Sequence, residues 1–489
     1  MTTQAMDEGK RKLIKFLFDN GLGVFEDPAN DRTLKSKRLS PWFLNIGDFN
    51  DGTTLAALSE AYADTIIASG VQIDTVYGIP EKGVGLVGPV ATELARKGRN
   101  VGWFFTRKLP KEHGEASGKT DLTKLIVGRI PTDGQAIGQL DDVFTSGEAK
   151  YSARAELEGF GKFCYPLLAI ALDRQEVAID GNNAIEGYET KTGTRVVSAV
   201  RATDVLDYMK EQLSQQTGPE REVTSRRIER LSTYLRVYGT DTARSHVGAL
   251  EERIITSDRS VIPACDIDNS DQFISLLNAT KDNPDIGGYK IGFELGLTFG
   301  LPNVVQKIRA LTDKPVIYDH QKAGTDIPDT GRNFARTMKR AGVDAVIFFP
   351  QAGPETERAW IYHARDNGLK VIVGGWMTHP AYAESEGGFL RDEGILDMYR
   401  IAARAGVTNF VVPGTKPDVI KRIREAIVAE GISNPILYGP GLGIGQGGDT
   451  KAAREAAGAY FHAIVGRGIT GAEDMRTAAL EHTSQLKAG

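Results

Sequence analysis

Residues 314–331, KPVIYDHQKAGTDIPDTG, place a lysine between two carboxylates just past an apolar run: Asp319, Lys322 and Asp326 follow Pro315 to Tyr318. An apolar run of that length reads as a buried strand. An acid–lysine–acid set where such a strand ends is a candidate for acid–base chemistry. The competing reading is a solvated Asp-Lys-Asp loop whose surface pairs are weak. A second constellation is LDDVFTSG, Leu140 to Gly147. Two acids end a strand, and a hydroxyl- and glycine-rich turn opens a helix. The N–H groups of such a turn, with the helix N-terminus, form an anion cradle, and Thr145 and Ser146 add hydroxyl donors. Asp141 and Asp142 are too close to be anion ligands; they suit ribose hydroxyls or the water shell of Mg²⁺. The competing reading is an ordinary strand–turn–helix capped by Ser146.

The elements that must position these groups fall into two halves. The chain has 489 residues, 41% hydrophobic and 25% charged, which implies a globular protein of two or three domains. Its net charge of −5 argues against nucleic acid or anionic membrane as the main partner. No run reaches transmembrane length, and the first residues lack a signal-peptide core, reading instead as an amphipathic helix. The two cysteines, Cys164 and Cys265, each sit in an apolar run. They are expected to be reduced core residues of a cytoplasmic enzyme.

In the first half, helical and strand patterns alternate. Helices are expected at 53–69, 86–98 and after Ser146, and strands at 75–80, 100–107, 139–144 and 163–172. This predicts a mostly parallel α/β sheet covered by helices. A helix at 202–213 closes the domain, SQQTGPEREV (214–223) reads as a linker, and charged helices follow at about 223–238 and 241–253. The expected domains are 1–215 and 223–489. From Val261, eight apolar runs recur: VIPACDI, GGYKIGF, PVIYD, DAVIFFP, KVIVGGW, NFVVPG, PILYGPG and HAIVGRG. Eight strand–helix units in ~230 residues predict a (β/α)8 TIM barrel. Chemistry sits where barrel strands end, and Asp266, Lys290, Asp319, Thr378, Gly414-Thr415, Gln446 and Arg467 collect there.

LDDVFTSG resembles the phosphoribosyl-diphosphate motif of the type I phosphoribosyltransferases, and the pieces around it are similar to orotate phosphoribosyltransferase. That match implies Asp141, Asp142, Thr145, Ser146 and Gly147 as the phosphoribosyl-diphosphate site. TRKLPKEHGE resembles the family's mobile catalytic loop and implies Arg107, Lys108, Lys111 and His113 as diphosphate contacts, with Lys111 and His113 catalytic. RTLKSKRLSPWFLNIG puts Lys35 at the family's substrate lysine, and Trp42 and Phe43 at its orotate-stacking aromatics. YGIPEKGVG resembles the pyrophosphate loop, with Lys82, and LDRQE puts Arg174 where the family binds the orotate carboxylate. Glu148 and Lys150 depart from the small or apolar residues usual there. A carboxylate close to a 5′-phosphate would repel it unless Lys150 compensates or Glu148 points away.

The second half resembles orotidine 5′-monophosphate decarboxylase over about residues 255–470. The resemblance implies Asp266 as a ribose contact, Lys290 as the second-strand lysine and Thr378 as the pyrimidine-face hydroxyl. It implies Gln446 and Arg467 at the phosphate, and DIPDTG, with Asp326, Ile327 and Thr330, as the segment reaching a neighbouring subunit's site. The usual Asp-x-Lys-x-x-Asp spacing is here Asp319, Lys322, Asp326, one residue longer on each side. Strand side chains alternate, so residues 320–324 must bulge or loop for Lys322 to join Asp319.

The two resemblances name consecutive reactions, orotate to orotidine monophosphate to UMP, as in the fused UMP synthases. They imply Lys322 as the ammonium that stabilises a pyrimidine C6 carbanion and then protonates it, with Asp319 near the departing carboxylate. They imply Mg²⁺ with the diphosphate substrate, no cofactor for decarboxylation, and a homodimer or larger homo-oligomer. The partners are the small molecules orotate, 5-phosphoribosyl 1-diphosphate and orotidine 5′-phosphate. The alternatives are a barrel acting on a sugar phosphate, like the hexulose-phosphate synthases, or a first half that only senses nucleotides.

Overall fold

The computed structural model describes residues 6–107, 125–144, 147–250, 252–319, 326–442 and 448–487. It divides into two compact units, Met1–Val247 and Gly248–Gly489.

The first unit is built on a six-stranded sheet. In spatial order its strands are Arg195–Arg201, Cys164–Asp173, Ala136–Val143, Thr75–Gly78, Gly102–Thr106 and Ile126–Gly128. Every pairing is parallel except the last. The central strands read as unbroken apolar runs because helices cover both faces: Leu167 to Leu172 are essentially inaccessible. Tyr77, Phe104, Ile137, Leu168 and Tyr188 meet in one core. The helix Gly52–Ala68 starts where Asp51 and Thr54 cap each other reciprocally. Two short antiparallel pairs precede the sheet, Leu22–Val24 with Trp42–Leu44 and Arg32–Thr33 with Leu39–Ser40.

Two expectations are corrected here. The stretch expected as a linker is mostly helix: only two residues separate Ala202–Gln215 from Gly218–Tyr238, which has Pro219 in its first turn, where its missing N–H costs nothing. That second helix lies in the first unit, not with the barrel. Leu231, Tyr234 and Leu235 are buried, and Arg230 forms a buried pair with Asp31 at 2.9 Å. Its end is held by Val177 N–H, which donates to Tyr238 O at 2.8 Å. Cys164 is exposed at the start of its strand, while Cys265 is buried; both are free.

The second unit is a closed barrel of eight parallel strands in chain order: Arg259–Cys265, Tyr289–Ile291, Val316–Asp319, Ala345–Phe348, Lys370–Gly374, Asn409–Val411, Ile436–Pro440 and Phe461–Val465. Inward residues such as Ile262, Ala264, Ile317, Ile347, Ile372 and Ile464 fill its interior, as a packed barrel requires. Near the strand starts, Ser260 Oγ and His462 Nδ1 share a hydrogen bond of 2.8 Å, and Tyr438 donates to Asn409 at 3.1 Å. These pairings satisfy polar groups that burial would otherwise penalise.

Candidate active sites

The barrel register builds the first site. Ala264 and Ile317 flank Lys290 on the neighbouring strands. Asp266 and Asp319 stand two residues beyond those positions, so alternation returns them to the same inward face. The Lys290 ammonium lies 3.1 Å from Asp319 Oδ2 and 3.4 Å from Asp266 Oδ1. Burial alone would push this ammonium down, but Asp319 and then Asp266 outweigh it and its pKa is raised. A Cβ on Gly292 would come 2.5 Å from Asp266 Oδ1 and would make that carboxylate shift.

Around this mouth, Thr415 Oγ1 donates to Thr378 O at 3.2 Å. Gly441, with φ +88°, passes where a Cβ would sit 3.0 Å from both threonine methyls. The loop carrying Thr378 is tethered by residues that sequence reading missed. Lys416 reaches Glu386 at 2.6 Å and His379 O at 3.1 Å, and Trp376 Nε1 donates to Glu386 at 3.2 Å. Arg467 is exposed at the start of the turn of helix after the last strand. Asp326 and Ile327 are exposed, Ile327 at 59%, and their backbone is held. Thr356 Oγ1 donates to Asp326 O at 2.9 Å, while Trp360 Nε1 and Thr330 Oγ1 donate to Ile327 O at 3.1 and 2.8 Å. Strand assignment ends at Asp319. Lys322, with the looping expected of 320–324, and Gln446 lie outside the described residues.

The second site lies where the strand Ala136–Val143 ends. Tyr62 OH donates to Asp141 O at 2.6 Å. Gly147 adopts φ +77° to begin the helix Glu148–Glu158, a left-handed conformation that favours glycine. The loop after Thr75–Gly78 packs directly against this strand. Ile79 N–H donates to Leu140 O at 3.0 Å, and a Cβ on Gly83 would meet that oxygen at 2.3 Å. A cis peptide joins Pro80 and Glu81 within the loop, and Lys82 is exposed at the start of the helix Lys82–Arg96. Arg107 is exposed, and its N–H donates to Leu125 O at 2.8 Å. Lys108, Lys111, His113, Thr145 and Ser146 lie outside the described residues.

The other expected residues of the first unit differ in exposure and in their partners. Trp42 is wholly buried, whereas Phe43 is 37% exposed. Arg174 is buried over the Trp42 ring at 4.4 Å, donates to Ser40 Oγ at 2.9 Å and pairs with Glu176 at 2.7 Å. Its guanidinium is therefore engaged with its own chain. Lys35 is exposed in the turn between the strands Arg32–Thr33 and Leu39–Ser40. Lys150, raised by the sequence only as a possible counter-charge to Glu148, instead meets Asp141 at 2.5 Å, and Glu148 is exposed. Among the described residues no group of three or more His, Cys, Asp or Glu could hold a metal ion. None of their helices is long and apolar enough to cross a membrane.

Comparison with known proteins finds relatives of two kinds. Residues 259–482 match the Orotidine 5'-phosphate decarboxylase / HUMPS family. An orotate phosphoribosyltransferase of Xylella fastidiosa (strain M12) is 34% identical over 240 residues, 49% of this chain and 100% of that protein. One from Marinobacter nauticus is 37% identical over 205 residues, 42% of this chain and 90% of that protein. A solved orotidine 5′-monophosphate decarboxylase from Methanocaldococcus jannaschii is 25% identical and covers 47% of this chain and 99% of its own, with a TM-score of 0.42.

Proposed function

We infer the function from the premise that the chain belongs to the orotate phosphoribosyltransferases over its N-terminal half and carries an orotidine 5′-phosphate decarboxylase domain over its C-terminal half. It is a bifunctional enzyme, a transferase joined to a carboxy-lyase, that makes UMP from orotate in two consecutive steps. The observation that carries this reading is the buried Lys290 ammonium held between Asp266 and Asp319 at the barrel mouth, in the same chain as a family-matched transferase.

In the first step orotate takes the phosphoribosyl group and diphosphate leaves, with Mg²⁺ entering as part of the diphosphate substrate. Leaving-group charge must be neutralised and water excluded. Arg107, Lys108, Lys111 and His113 supply cations for this, with Lys82 from the adjoining loop. In the second step the C6–CO₂ bond breaks and its electron pair stays on C6. Lys322 stabilises the pair and delivers a proton to C6. Asp319 acts near the departing carboxylate, and Lys290 and Asp326 hold Lys322 protonated and aimed. Asp326 comes from a second copy in a homodimer, and the enzyme works in the cytoplasm. The sugar-phosphate and nucleotide-sensing readings are not favoured, because the first half matches orotate phosphoribosyltransferases and the product of that reaction is the substrate of an orotidine 5′-phosphate decarboxylase.

The test is a coupled assay with carboxyl-labelled orotate and 5-phosphoribosyl 1-diphosphate. Labelled CO₂ and UMP are expected together. Label release only from added orotidine 5′-phosphate would refute the first half, and accumulation of orotidine 5′-phosphate would refute the second.

A further inference from the structure

We propose that Lys150 is a positioning residue that withdraws Asp141 from the phosphoribosyl-diphosphate site and leaves Asp142 as the one carboxylate of the pair that meets the substrate. This rests on the reading of the first unit as an orotate phosphoribosyltransferase. Lys150 stands in the first turn of the helix Glu148–Glu158, three positions past Gly147. Its side chain folds back across the turn. The ammonium lies 2.5 Å from Asp141 Oδ2 and donates to Val143 O at 2.7 Å. It also sits 5.4 Å from the centre of the Phe144 ring. The other Asp141 oxygen accepts from Asp142 N–H at 2.9 Å.

The Asp141 carboxylate thus has an ammonium on one oxygen and a backbone donor on the other. Both side chains are almost inaccessible, at 6% for Lys150 and 8% for Asp141. Asp142 is placed differently: it is partly exposed, and its Oδ1 takes Val143 N–H at 2.7 Å. Burial raises the Asp141 carboxyl above its ordinary value, and Lys150 offsets only part of that rise.

The arrangement has two effects. A carboxylate this close to a diphosphate site would repel the substrate, and Lys150 cancels that charge without help from substrate-borne Mg²⁺. By holding Val143 O, Lys150 also ties the strand end to the helix that follows Gly147. The adjacent acids Asp141 and Asp142 look equivalent in sequence, but only one is available to a ribose hydroxyl.

The test uses the full chain and measures binding of 5-phosphoribosyl 1-diphosphate with Mg²⁺ by calorimetry, alongside KM and kcat for orotate transfer. Lys150→Met strands a buried carboxylate, so substrate affinity should fall about 10- to 100-fold, with kcat changed much less. Adding Asp141→Asn removes the stranded charge and keeps an acceptor for Asp142 N–H, so the double variant should recover at least about tenfold of that loss. Decarboxylation of orotidine 5′-phosphate by the same chains reports folding of the second unit, and thermal unfolding reports the first. A double variant that binds no better than Lys150→Met would overturn the proposal, because Asp141 would then be a substrate ligand. Unaltered affinity in Lys150→Met would overturn it too. Should Lys150→Met not fold, the double variant decides alone: affinity within about tenfold of wild type supports the proposal, and weaker binding overturns it. A wild-type chain that neither binds the substrate nor transfers to orotate would instead overturn the transferase reading.

Discussion

Replacing Lys290 with methionine tests the barrel site most directly, because it removes one charge and little volume. Lys290 faces Asp319 at 3.1 Å and Asp266 at 3.4 Å. At an effective dielectric constant of about 20, each contact is worth about 5 kcal/mol of Coulomb energy. Desolvation of the ammonium opposes this, yet the pKa of Lys290 is raised, so the two acids prevail. A raised lysine pKa contributes stability that is fully present below the unfolded value and is lost as pH rises through the folded one. At neutral pH the variant therefore loses the whole contribution, and removing one partner of such a set costs roughly 3–5 kcal/mol of barrel stability. The catalytic cost is separate. Two unneutralised carboxylates would face a substrate that carries a carboxylate and a phosphate. We expect kcat/KM for orotidine 5′-phosphate to fall about 10³-fold, equivalent to about 4 kcal/mol. The assay is CO₂ release from orotidine 5′-phosphate, with orotate transfer by the same chain as the internal control. A folded Lys290→Met chain that decarboxylates within tenfold of wild type would remove Lys290 from the reaction.

Three further outcomes are expected. Lys111→Ala should lower orotidine monophosphate formation about 10²-fold or more and leave decarboxylation intact; equal loss of both would point to misfolding. Mixing a Lys322→Ala chain with an Asp326→Ala chain, under conditions where subunits exchange, should restore part of the decarboxylase activity, since one hybrid site carries neither lesion. No recovery would count against a shared site. His462 is buried beside Ser260, and burial pushes its pKa down from 6.5 to about 3. Its stabilising share is present above the unfolded value and is lost as pH falls toward the folded one, on the order of 5 kcal/mol across that window. His462→Gln should flatten the acid limb of barrel unfolding between about pH 6.5 and 4, and an unchanged limb would assign acid sensitivity to other groups.

The barrel was legible in sequence because its strands repeat locally. Eight apolar runs mark eight strands and put Asp266, Lys290 and Asp319 at strand ends, but that Lys290 stands between the two acids follows from the register of neighbouring strands, which no local pattern carries. Legibility failed where the partner of a polar group lies far away in the chain. LDRQE marks Arg174 but says nothing of Ser40 or of the Trp42 ring beneath its guanidinium, 4.4 Å away. The charged helix Gly218–Tyr238 looks free until Asp31 supplies the counter-ion for Arg230. The strands Ile126–Gly128 and Arg32–Thr33 are too short to carry a period. Arg174 and Lys290 make the limit concrete, since each is a buried cation beside a carboxylate and each stands at a family motif. What separates them is the cover over the counter-ion. Lys290 has two counter-ions, Asp319 at 16% exposure and Asp266 at 41% at the barrel mouth, where a substrate can reach it, whereas Glu176 is 13% exposed beside a guanidinium already engaged with its own chain. Residue type and spacing locate a buried charge, but whether it serves a ligand or the fold depends on how its partner is covered, and that is a property of packing.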